Sequence, residues 1–196
     1  MAENILISIV MGLGLSAACG FRIFVPMLVI CLASRTGHLT LAESWAWLAS
    51  DPALIVLATA TVLEIGGYYI PIVDHFLDIV ATPAAVIAGT VVSAAVFVDM
   101  TPLMKWTLAV IAGGGAATAT HATMATARAF VAGTTGGLGN WVVNTGEIVV
   151  SAGVSFLTLL LPVLCVALLV LVIVATVIAY KRWRRMNGSA IMPVSA

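Results

Sequence analysis

The chain has 196 residues, of which 62% are hydrophobic and only 8% charged, and its mean hydropathy is +1.19. Eight bases and eight acids cancel to a formal net charge of +0, too few to coat a soluble domain and with no basic excess to suit nucleic acid. This composition predicts an all-α integral membrane protein: one transmembrane domain over residues 1–186 and a disordered cytoplasmic tail over 187–196. At about 20 apolar residues per span there is room for five helices, with six as the alternative count.

The first predicted span covers about 4–33, longer than the ~20 residues a perpendicular helix needs. Small residues (Gly12, Gly14, Ser16, Ala17, Ala18, Gly20) concentrate in it, so it is expected to tilt or break there while approaching another helix closely. Arg22 follows at once, and its guanidinium, with a pKa above about 12, keeps its charge. Such a residue inside an apolar segment is a functional candidate by default. Pro26 is expected to kink the helix by removing the hydrogen bond to the Arg22 carbonyl. Ala17-Ala18-Cys19 has a lipoprotein-signal flavour, but Glu3 and the lack of Lys or Arg before Ile5 argue against a cleaved leader. Cys19, Cys31 and Cys165 match no zinc spacing and read as packing residues.

Residues 34–52 form a polar connection in which Trp45 and Trp47 suit a short interfacial helix. Span two is expected at 53–72 and span three at 79–98, joined by a turn carrying Asp74, His75 and Asp78. Those three residues are a candidate cation site if helical, since i and i+4 share a face. A solvated turn is the blander reading. Span four, at 106–127, holds Gly113, Gly114 and Gly115, then His121 among threonines, with Arg128 just beyond. A Gly/Ala/Thr run favours tight packing over a discontinuous helix. The Gly-rich stretch 134–140 lacks the Lys and preceding strand of a phosphate loop, and Asn140 can cap a following helix.

From Trp141 to Tyr180 one helix would extend about 60 Å, about twice the hydrocarbon core. The stretch is therefore either a re-entrant piece followed by a span kinked at Pro162, or two spans with a turn near Ser151-Ala152-Gly153. Lys181, Arg182, Arg184 and Arg185 close the apolar part. Setting that cluster inside puts Arg35 and Lys105 inside too if there are five spans, which obeys the positive-inside rule and leaves the C-terminus cytoplasmic. A faint inverted repeat follows: a Gly-rich stretch with Arg22 and then Glu64, against a second with His121 and Arg128 and then Glu147.

On this topology Arg22 and Glu64 lie about 12 Å and about 16 Å in from the same side, so they can pair. Arg128 and Glu147 can pair towards the other side. Two readings compete. In one, the pairs only neutralise each other and pin helices together. In the other, Arg22 binds an anion while Glu64 or His121 cycles a proton.

The string 14–22 (GLSAACGFR), Leu63-Glu64-Ile65, the string Ile70-Pro71-Ile72-Val73-Asp74-His75-Phe76-Leu77-Asp78, His121 with Arg128, and Gly139-Asn140 with Glu147 together resemble a family of small bacterial integral membrane proteins. That family is defined by a shared domain of unknown function. The resemblance covers roughly residues 10–165, and Ile-Pro-x-x-Asp-His-x-x-Asp is its most specific part. The family tends to carry Lys, Pro and an acid where this chain has Met124, Trp141 and Ile148, so an extra cation and an acidic pair are missing from the second half. The resemblance implies a multi-pass protein of the bacterial inner membrane and brings no activity with it.

No nucleophile elbow, zincin motif, P-loop or dinucleotide fingerprint occurs, so neither an enzyme nor a cofactor is expected. The sequence favours a homodimeric or other homo-oligomeric transport or permeation protein, embedded in lipid. Its pathway would lie near Arg22, Glu64, His121, Arg128 and Glu147 and carry a small anionic or protonatable solute. The alternative is a non-transporting scaffold or accessory subunit whose ion pairs are structural.

Overall fold

A computed structural model describes residues 2–135, 139–168, 170, 171, 174, 175, 177 and 178. All regular structure among them is helical. Helix α1 spans Ala2–Cys19 and α2 Phe24–Arg35; a 3-10 turn over Glu43–Ala49 leads into α3, Asp51–Gly67. Then come α4 (Pro71–Val96), α5 (Pro102–Leu108), a π turn over Ala109–Gly114, α6 (Gly115–Thr135) and α7 (Asn140–Leu160). The basic cluster at 181–185 and the expected tail at 187–196 lie outside the described residues.

The helix starts follow local chemistry. Ser50 caps α3 by accepting from the Ala53 N–H, with Asp51 and Pro52 in the first turn. Thr101 does the same for α5 through the Met104 N–H, ahead of Pro102. Pro71 opens α4, where its missing N–H costs nothing. Pro26 also belongs to this class. It sits in the first turn of α2, among the amides that have no intrahelical partner. The first span is therefore two helices separated at residues 20–23, and no Pro26 kink frees the Arg22 carbonyl.

Other boundaries also depart from expectation. Asp74, His75 and Asp78 fall inside α4, and the turn before it is Tyr68 to Ile70. The chain after Trp141 runs through Ser151-Ala152-Gly153 as continuous helix and breaks instead at Leu161, where φ is −140° and ψ 70°. The cause is Pro162, which disfavours helical geometry in the residue before it; residues 162–168 are helical again. The expected interfacial helix at Trp45 and Trp47 is the 3-10 turn, with Arg35 paired to Asp51 at 2.6 Å across its end.

Two described helices are long and apolar enough to cross a membrane, Ile79–Val96 and Trp141–Leu160, and a third if Glu43–Ala49 and Asp51–Gly67, bent by 67°, count as one. The predicted five spans are thus not five long helices. The break at 20–23 leaves α1 with 18 residues and α2 with 12, about 27 Å and about 18 Å. A π turn divides span four.

The centre of the molecule is built from small residues on α1, α4 and the π turn. The Ser16 hydroxyl donates to the Gly89 carbonyl at 2.7 Å and lies 2.7 Å from the Ser93 hydroxyl, which in turn donates to the Gly12 carbonyl at 3.2 Å. A Cβ on Gly89 would stand 2.6 Å from the Ala117 Cβ and 2.8 Å from the Gly113 carbonyl oxygen. Glycine is needed at that crossing for backbone contact. Leu15, Cys19, Ile30, Val92 and Val96 pack around it.

Candidate functional site: a buried charge cluster at a broken helix

The break after α1 creates the site. Gly20 and Phe21 close α1 with tight bonds to the Ala17 and Ala18 carbonyls. Gly20 is obligatory there, because a Cβ would come within 2.5 Å of the Ala117 carbonyl oxygen and 2.9 Å of the His121 nitrogen on α6. The chain then restarts as α2 with unpaired amides at its N-terminus. Glu64, a buried residue of α3, supplies what they lack: the Ile23 N–H donates to Oε1 at 2.7 Å and the Phe24 N–H to Oε2 at 3.0 Å. A carboxylate from one helix thereby caps another, and the α2 dipole favours its negative charge.

Arg22 projects from the same break, and its side chain is fully buried. Its partner is Glu147 on α7, not Glu64: Nη2 lies 3.2 Å from Glu147 Oε2. The same nitrogen donates to the Asn144 carbonyl at 3.3 Å and to Asn144 Oδ1 at 3.4 Å. The guanidinium carbon sits 3.8 Å from the centroid of the Tyr68 ring, within cation–π range. Nε and Nη1 are buried with no hydrogen-bond acceptor.

The expected pairing of Arg128 with Glu147 is present and two-pronged, Nε to Oε1 at 2.7 Å and Nη2 to Oε2 at 2.9 Å. That geometry is the strong form of the Arg–carboxylate pair. Glu147 therefore stands between two guanidinium groups, and the Arg128 guanidinium carbon lies 5.4 Å from the Tyr68 ring that also faces Arg22. Among the described residues the cluster gathers two arginines and two glutamates. The chain break, α3, α6 and α7 each contribute to it.

His121 lies at its edge, with Nδ1 3.3 Å from the Gly20 carbonyl oxygen, and it reaches neither glutamate through a hydrogen bond. Asp74, His75 and Asp78 occupy the first turns of α4, and their side chains fall outside what is described. Among the described residues no three His, Cys, Asp or Glu side chains gather as a metal site would require.

Sequence reasoning overlooked Tyr68, Tyr69 and Asn144. Asn144 Nδ2 donates to the Tyr68 carbonyl at 3.0 Å, satisfying an orphan acceptor at the end of α3. Tyr69 joins Thr145 by a 2.9 Å hydrogen bond and meets Trp141 edge-on. A signal was present in α7: Asn144, Glu147, Ser151, Ser155 and Thr158 recur at helical spacing and are all buried, while Val142, Val149, Phe156 and Leu160 are exposed.

Beside the cluster, between α3 and α4, is a cavity of about 430 Å³ whose lining includes Glu64, Tyr68, Ala60, Leu63, Val80 and Ala84. Among the described residues its lining is apolar apart from Glu64 and Tyr68. Glu64 thus caps the α2 N-terminus and also lines this cavity.

The fold and site define an all-helical protein with a largely apolar core, an apolar exterior and, buried at a helix break, a cluster that includes Arg22, Glu64, Arg128 and Glu147. The family model described as Domain of unknown function (DUF4126) matches residues 9–182, and the chain belongs to that family. No curated protein and no solved structure matches it.

Proposed function

We propose that this protein is a multi-pass transporter or permeation protein of the bacterial cytoplasmic membrane for a small anionic or protonatable solute, with its C-terminus cytoplasmic. The observation that carries this reading is Glu64. It caps a half-helix at a break in the first span, it lines a cavity of about 430 Å³, and three further charges lie close by. Discontinuous helices whose N-termini face a negative group are a recurrent device at transport sites. The exposed Leu63, Val142 and Ile79 beside the buried Arg22 and Glu147 support a lipid setting, since this distribution inverts that of a water-soluble fold.

In this reading Glu64 is the group that exchanges a proton or counter-charge with the solute. The Arg22–Glu147–Arg128 unit holds the local field. Arg22 is engaged by Glu147 and Asn144 through Nη2, which leaves Nε and Nη1 to suit an anion, while Glu64 suits a protonatable solute.

A scaffold role rests on a specific observation of its own: the Arg22, Arg128, Glu147 and Asn144 network ties the break, α3, α6 and α7 together. One experiment separates the two. The protein is reconstituted into liposomes containing a trapped pH dye, and weak acids and amines are added outside. Solute-dependent proton movement above that of protein-free liposomes, abolished by Glu64→Gln in folded protein, is the transport outcome. No such movement with any solute, together with loss of stability in Glu64→Gln, is the scaffold outcome.

A further inference from the structure

We propose that the cavity between α3 and α4 is a binding site for a lipophilic amine in its protonated form, reached sideways from the bilayer. The assignment rests on the transport reading only for its purpose; the binding chemistry stands on the cavity. Its volume of about 430 Å³ falls in the range of about 300–1,000 Å³ typical of small-molecule sites. Most of its described lining is apolar, including Ala60, Leu63, Leu77, Val80 and Ala84, so the body of an occupant must be apolar.

The head group is set by Glu64. A carboxylate has about four acceptor positions, and the Ile23 and Phe24 amides take two. The remaining lone pairs suit a donor. An ammonium group supplies donors together with the opposite charge, which makes the hydrogen bond strong. A carboxylate or phosphate head would meet like charge at an apolar wall. Among the described lining residues a bare divalent cation would find one carboxylate, where it needs about six oxygens. Leu63 and Val80 on the cavity wall are 69% and 44% exposed, and Val80 lies in the Ile79–Val96 stretch that can cross a membrane. The mouth thus faces acyl chains, from which an amphiphile partitions.

The test uses the full chain in phosphatidylcholine nanodiscs, titrated with n-octylammonium, n-octanol and n-octanoate, with empty nanodiscs subtracted. Expected is saturable 1:1 binding of n-octylammonium, at least ten-fold tighter than n-octanol, with no saturable n-octanoate binding. Glu64→Gln should weaken n-octylammonium binding at least ten-fold. Ala84→Leu, which fills the cavity and leaves every charge in place, should do the same and serves alone if the glutamate variant fails to fold. Equal binding of n-octanoate, or n-octylammonium binding unchanged in folded Glu64→Gln or in Ala84→Leu, overturns the assignment. Binding without solute-driven flux in liposomes upholds the site and removes the transport reading. Glu64-dependent flux of another solute without n-octylammonium binding upholds transport and overturns this site.

Discussion

Glu147 is the residue on which the cluster turns. It is 1% exposed and faces both Arg22 and Arg128. Removing it takes from both buried guanidinium groups the acid they share, and Glu64 is already committed to the α2 amides. Breaking a buried pair by deleting one member costs about 3–5 kcal/mol. Glu147→Ala is therefore expected to destabilise by at least that much, and by more than Arg22→Ala or Arg128→Ala, each of which leaves one Arg–Glu147 pair intact. Unfolding in mixed micelles of the three variants checks the order. Glu64→Gln is milder: its amide oxygen can still accept one of the two N–H bonds, so a loss of about 1–3 kcal/mol is expected. An equal loss for Glu64→Gln and Glu147→Ala would contradict this division of labour. From the sequence, Arg22 stood out because an ion amid apolar residues must find a partner. Depth along straight spans pointed to Glu64, whereas the structure pairs Arg22 with Glu147. The break at 20–23 settles it by offering Glu64 two amides of its own.

At the scale of elements, crossings made by small residues hold the site in place. Gly20→Ala is expected to push α1 from α6, since its Cβ would meet the Ala117 carbonyl oxygen, at a cost of about 1–3 kcal/mol. Gly66→Ala, with nothing within 4 Å of the added atom, should be neutral or stabilising by up to about 1 kcal/mol. Thermal unfolding of the two variants side by side is the check, and equal shifts would refute the close crossing. The Gly-rich segments announced close approach. They did not announce where α1 would end, because Pro26 fits a kink within one helix as well as the first turn of a new one. The preference for tight packing in span four is met at Gly113, which faces Gly89 directly. The π turn around it had no distinct sequence mark.

For the molecule as a whole, the charged and many polar side chains of the helices are buried within an otherwise apolar core, while large alkyl side chains cover the surface. Spin labels at Leu63 and Val142, 69% and 76% exposed, are expected to be mobile and reached by oxygen but shielded from a water-soluble nickel chelate. A label at the fully buried Ser155 should be immobile and reached by neither. Nickel access to Leu63 and Val142 equal to that of a free label in buffer would remove the membrane setting. Composition alone determined the helical class, because a chain with so few charges and so many apolar residues can satisfy its backbone in lipid through helices. The sequence also marked the charges Arg22, Glu64, Arg128 and Glu147, because an ion in an apolar segment must find a partner, but it passed over Asn144. Only the tertiary structure decided how they are shared, with Glu64 on an amide pair and a cavity wall and Glu147 between two arginines. That choice depends on a helix break and on crossings between segments far apart in the chain, which local periodicity does not encode.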